Sequence, residues 1–120
     1  MKTYKEIHAW QKAMELVTDI YSITDSYPEN EKFGLTNQIR RAAVSVPSNI
    51  AEGFGRNSLP DFIRFLNIAR GSLFELQTQV EISLNLGFLA RDNYGEIDAK
   101  TEEIAKLLNA LIKSLKKKMN

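Results

Sequence analysis

Apolar residues recur along this chain at helical spacing, and the breaks fall where turn residues cluster, so four amphipathic helices are expected at about 4–26, 34–55, 59–87 and 92–118. In the first, Ile7, Trp10, Met14, Val17, Tyr21 and Thr24 form one seam, widened by Ala13, Leu16, Ile20 and Ile23. Tyr27-Pro28 ends it, because a residue before proline avoids helical dihedrals. In the second, Leu35, Ile39, Ala42, Val46, Ile50 and Gly53 align, and Gly53-Phe54-Gly55 offers glycines for a left-handed cap. The third opens at Ser58-Leu59-Pro60-Asp61, where Ser58 caps, Pro60 wastes no donor and Asp61 complements the helix dipole. Its face runs Phe62, Leu66, Ala69, Leu73, Leu76, Val80 and Leu84, and Gly87 supplies the stop. The fourth carries Ile97, Ile104, Leu108, Leu111 and Leu115, with acids gathered in its first half and lysines in its second, as the dipole favours.

Helices of this length joined by short connections pack against their neighbours in sequence. The expected fold is therefore all-α, an antiparallel up-down four-helix bundle in which residues 1–120 form a single domain.

Composition narrows the chemistry. The 120 residues include no cysteine and one histidine, His8, which excludes disulfides, thiolate metal sites, cysteine nucleophiles and multi-histidine sites within one chain. The residue three before His8 is Lys5, so the inward Glu-x-x-His pairs of a di-iron bundle are missing. Gly53-Phe54-Gly55-Arg56 is too poor in glycine for a phosphate-cradling loop and follows no strand, although amides at Gly55 to Ser58 offer a nest for one anion. No enzyme, cofactor or metal is expected. With no signal-like leader and no long apolar run, a soluble cytoplasmic protein is expected.

Sixteen basic residues against fifteen acidic ones leave a net charge of +1, so any charged partner must be read from local patches. Between Phe33 and Ala99 every basic side chain is an arginine (40, 41, 56, 64, 70 and 91), whereas Lys113, Lys116, Lys117 and Lys118 form a basic tail. Arginine suits planar, partly buried pairing.

The second helix breaks a rule, because Pro47 lies inside it and removes a backbone bond at a cost of about 3 kcal/mol. A kink, two shorter helices meeting near Ser45, and a functional role are the alternatives. Around it Gln38, Arg41, Ser45, Asn49 and Glu52 form a polar stripe beside the apolar seam, suited to hydrogen-bonded contact with a neighbouring helix or subunit. Folding the second and third helices as a hairpin predicts ion pairs of Arg41 with Glu75 and of Glu52 with Arg64.

The string from Gln38 through Gly53, QIRRAAVSVPSNIAEG, resembles the signature of the bacterial four-helix bundle proteins known as 23S rRNA intervening-sequence proteins. Further matches are Ala9 to Ala13, Glu31 to Leu35, and the run Phe62, Phe65, Leu66, Ala69, Gly71, Ser72, Glu75 and Leu76, so that the resemblance spans about residues 4–115. It implies assembly as a homopentamer and a family of largely unassigned role. It also implies structural importance for the motif residues Gln38, Arg41, Ser45, Pro47, Asn49, Glu52, Gly53 and Glu75. A related branch, the accessory variability determinants of diversity-generating retroelements, binds nucleic acid through a basic surface. The near-neutral charge of this chain departs from that branch.

Two functional readings follow. One is a non-enzymatic homo-oligomer that binds RNA, DNA or a nucleoprotein partner, with Arg40, Arg56, Arg64 and Arg70 as candidate phosphate contacts unless they pair internally. The other is a purely structural or protein-binding scaffold, for which Trp10, Tyr21, Phe54, Phe65 and Phe74 are candidate subunit contacts.

Overall fold

A computed structural model describes residues 1–119. Its α-helices are α1 (His8–Thr24), α2 (Leu35–Phe54), α3 (Leu59–Asn85) and α4 (Arg91–Lys118), with short 3-10 turns at Tyr4–Glu6 and Glu29–Glu31 and no strand among the described residues. The first helix starts later than its apolar pattern suggests. Ile7 is extended (φ −75°, ψ 118°), so Tyr4–Glu6 forms a separate turn in which the Thr3 side chain accepts from the Lys5 amide.

The other boundaries follow the turn chemistry closely. Ser58 Oγ accepts the Asp61 amide at 3.3 Å and opens α3, and Gly87 at φ 78° closes it. Glu31 Oε1 accepts the Leu35 amide at 3.1 Å, satisfying one of the unpaired donors at the start of α2. The cap after α2 differs from expectation: Gly55 is right-handed (φ −76°), and Gly53 has no positive φ either. Pro47 does not divide α2, which is one continuous helix from Leu35 to Phe54.

Each helix packs on two neighbours, α1 on α2 and α4, and α3 on α2 and α4, around one apolar core. Leu16, Ile20, Ile39, Val46, Ile50, Leu66, Leu73, Leu76, Ile104 and Leu108 are fully enclosed in it. Burying a side chain of this kind stabilises the fold by roughly 1.5 to 3 kcal/mol. In α1 the buried face is Ala9, Ala13, Leu16, Ile20 and Thr24, so the seam expected along Met14 and Tyr21 is rotated outward, leaving those two 44% and 43% exposed. Ala9 and Ala13 let α1 approach the core closely, a choice that the bulk of Met14 and Tyr21 hides in the sequence. No described helix is long and apolar enough to cross a membrane.

Candidate functional site

Of the residues singled out by the central motif, Pro47 faces α1, whereas Ser45, Asn49 and Gly53 lie along the seam between α2 and α3. Ser45 Oγ and Ser72 Oγ share a hydrogen bond of 2.9 Å across it, and Asn49 Nδ2 donates to the Ser45 carbonyl at 2.8 Å and to Ser45 Oγ at 2.9 Å. Small hydroxyls allow the two helices to meet here. Further along α2, Gly53 is buried with its α-carbon pressed against α3, where a Cβ would stand 2.7 Å from Phe65 Cβ and 3.1 Å from Phe62 Cδ1. Gly53 therefore serves close packing rather than a left-handed cap.

Gln38, Arg41, Glu52 and Glu75 are exposed on the flanks of this seam. Neither expected cross-helix ion pair forms. No salt bridge within 4.0 Å joins Arg41 to Glu75 or Glu52 to Arg64 among the described residues. Glu52 instead pairs with Arg56 at 3.3 Å, and Arg64 with Asp61 at 3.5 Å, both within one turn of sequence. Side chains three and four apart are neighbours on a helix surface, so each of these groups has a partner within reach on its own helix.

The four arginines expected to be phosphate contacts fall into two groups. Arg40 and Arg70 are occupied structurally: Arg40 Nε donates to Thr24 Oγ1 at 2.9 Å, its guanidinium lies 4.5 Å from the Tyr21 ring centroid, and it pairs with Asp25 at 3.4 Å. Arg70 donates to Asn67 Oδ1 at 2.6 Å and to Asn109 Oδ1 at 2.7 Å, tying α3 to α4. Arg56 and Arg64 are exposed, and both stack on Phe65, at 4.7 and 4.5 Å from its centroid. Phe65 is itself buried, so this aromatic serves as a platform for two cations rather than as an exposed contact.

Two opposite edges of the bundle remain open. Between α1 and α2, Tyr4, Trp10, Met14, Val17, Val44 and Pro47 line an apolar groove of about 310 Å³. Sequence pattern points to this edge only in part: Trp10 and Tyr21 stand out as surplus aromatics, whereas Tyr4, Met14 and Val44 give no signal beyond ordinary apolar periodicity. Between α3 and α4 a second groove, about 540 Å³, is walled by Phe74, Ile82, Tyr94, Glu81, Asp98 and Glu102. Tyr94 donates to Glu81 at 3.2 Å, and desolvation together with Asp98 and Glu81 raises its phenol above the ordinary 10.0. On the α1–α4 side, the hydrogen bond from Lys100 to Asp19 holds that ammonium above its ordinary 10.5. His8 is exposed, and no group of three His, Cys, Asp or Glu side chains suited to a metal ion occurs among the described residues.

The comparison with known families matches residues 5–110 to the 23S rRNA-intervening sequence protein family. The chain belongs to that family. Among solved structures it is similar to a protein of unknown function from the S23 ribosomal protein family of Bacteroides thetaiotaomicron, with 30% identity and a TM-score of 0.81 over 88% of this chain and 95% of the other. No curated protein matches. Within the family's span lie the Ser45–Ser72 bond, the Gly53–Phe65 contact and the Arg56–Phe65–Arg64 stack, so the parts of the motif that pack α2 on α3 are accounted for by geometry.

Proposed function

We propose that this member of the 23S rRNA-intervening sequence protein family is a cytoplasmic, non-enzymatic, homo-oligomeric helical scaffold, an antiparallel up-down bundle whose copies assemble as a homopentamer. The observation that carries this reading is the unpartnered apolar groove at the α1–α2 edge together with the exposed apolar side chains on the outer face of α3. Met14, Tyr21 and Val44 are 44%, 43% and 39% exposed along the α1–α2 edge, and Ile68, Phe74 and Ile82 are 42%, 47% and 41% exposed on α3, across the bundle. Two different surfaces on opposite sides, one an apolar groove and the other apolar side chains set among acids, suit a heterologous contact repeated around a closed ring, whereas a two-fold dimer needs one self-complementary surface. Paired contacts support the up-down arrangement, because rising numbers on one helix meet falling numbers on the other: Ser45 with Ser72 and Gly53 with Phe65, Arg70 with Asn109 and Gln77 with Thr101, Lys12 with Glu103 and Asp19 with Lys100.

Size-exclusion chromatography with light scattering tests the assembly: five times the 13.7 kDa chain mass is expected at micromolar concentration, and Met14→Ser with Val44→Ser is expected to yield a folded monomer. A wild-type monomer overturns the reading.

A second reading, association with nucleic acid, is favoured by the family's ribosomal RNA context and by Arg56 and Arg64, which present stacked, outward guanidinium groups. A purely protein-binding scaffold is the alternative that the absence of RNA binding would leave.

A further inference from the structure

The net charge of +1 conceals a molecule with two poles. The bundle is 48 Å long and 24 × 20 Å across. At one end stand the start of the chain, the α2–α3 turn and the last turns of α4, since Met1, Ile7 and His8 meet Leu107 and Leu111, Tyr4 and Trp10 share a groove with Ser48 and Ala51, and Gly53 meets Phe65. Residues 1–6, 52–64 and 113–118, which share this end, carry eight lysines and arginines against three acids, a net +5. Residues 25–41 and 81–98, at the other end, carry four bases against seven acids, a net −3.

Six of the eight cations at the basic end are left without a carboxylate partner among the described residues, against a net acidic charge at the other end. The Glu52 and Asp61 carboxylates are taken by Arg56 and Arg64. Lys2, Lys5, Lys113, Lys116, Lys117 and Lys118 are exposed and make no salt bridge within 4.0 Å among the described residues.

We propose that the basic end is the nucleic-acid surface of the protein and that it binds the sugar–phosphate backbone end-on, with the acidic end directed away. This rests on the nucleic-acid reading above and replaces its contact set: Arg40 lies at the acidic end and Arg70 in the middle, each engaged by protein groups, and neither reaches phosphate. Three separated segments spread the charge over a face 20 to 24 Å wide, which suits an extended polyanion rather than one small anion. Phosphates succeed one another at about 3.4 Å per strand along a duplex, so a face of this width spans several of them. The opposite sign at the far end repels the same polymer and so selects one orientation. Nothing in this arrangement reads base edges, and binding is expected to be indifferent to sequence.

The test is fluorescence anisotropy with a labelled single-stranded RNA of about 20 nucleotides, titrated at about 50 and 200 mM salt. Lys113→Gln, K116Q, K117Q and K118Q combined are expected to weaken binding about tenfold or more at low salt and to lower the salt slope by about 0.7 for each phosphate that is no longer neutralised. Lys32→Gln with R91Q, at the acidic end, is expected to leave affinity within about twofold; all these side chains are exposed, and circular dichroism checks the fold. RNA binding that survives the four-lysine change, or falls equally with the acidic-end change, overturns the end-on surface while leaving the nucleic-acid reading standing. No RNA binding by the wild-type protein at low salt overturns both. Anionic phospholipid vesicles that displace the RNA at equal charge concentration overturn the choice of partner.

Discussion

Gly53 and Phe65 hold α2 and α3 at a distance that no larger residue permits, since a Cβ on Gly53 would stand 2.7 Å from Phe65 Cβ. The neighbouring atoms are not the tip of a flexible side chain but the root of a buried ring and the Phe62 carbonyl, at 3.2 Å, so the helices themselves must move to admit a methyl group. Phe65 in turn carries Arg56 and Arg64 on its ring. Tight packing of one glycine thus positions two cations of the basic end.

Gly53→Ala is expected to destabilise the protein by about 1 to 2 kcal/mol net, an overpacking cost of about 2 to 3 kcal/mol less the gain of about 1 kcal/mol in helix propensity. Gly71→Ala is the contrast, because a Cβ at Gly71 meets nothing within 4 Å and the propensity gain of about 1 kcal/mol is then realised. Chemical denaturation of the two variants checks the opposite signs; equal effects would mean that α2 and α3 separate freely.

Removing either hydroxyl of the Ser45–Ser72 pair is expected to cost about 0.5 to 1.5 kcal/mol, and removing both less than the sum. A double-mutant cycle with alanine at the two positions measures the coupling. Additive effects would show that the 2.9 Å hydrogen bond contributes nothing of its own.

Lys100 and Asp19 are expected to contribute at most about 1 kcal/mol, since their side chains remain 47% and 34% exposed and screened by solvent. The direction in pH follows from the raised ammonium pKa. The folded state binds this proton more tightly than the unfolded one, so the stabilisation is complete below the ordinary lysine value of 10.5 and is lost as pH rises through the higher folded value. Asp19→Asn should therefore narrow the stability difference between about pH 9 and about pH 11 relative to wild type in thermal unfolding; an unchanged difference would remove the pair as its source.

Much of the fold is legible in the chain because it is written in local rules. The Ser58 cap, the Gly87 stop at φ 78° and the polar–apolar alternation of α2 to α4 each depend on a few neighbouring residues. Where two local rules conflict, the sequence is ambiguous. Pro47 breaks a helix in isolation, yet here the proline is buried inside an unbroken α2, held by packing that periodicity does not report. Family resemblance names motif residues without saying what they do, and the close seam that Ser45 and Gly53 make between α2 and α3 emerges only with Ser72, Phe62 and Phe65 in place.

Local rules along the chain set four helices, the two caps of α3 and the chemical classes that a chain with one histidine and no cysteine cannot use. Tertiary structure decided the rotation of each helix, which needs the sizes of facing side chains: Ala9 and Ala13 went inward and Met14 and Tyr21 outward. It also decided the ion pairs, because a side chain four residues on lies beside its neighbour on the helix surface, and so Glu52 meets Arg56 rather than Arg64. Above all it decided the poles. Charges spread along 120 residues sum to +1, and only the return of the chain, bringing residues 1–6, 52–64 and 113–118 to one end, turns that sum into a field with a direction.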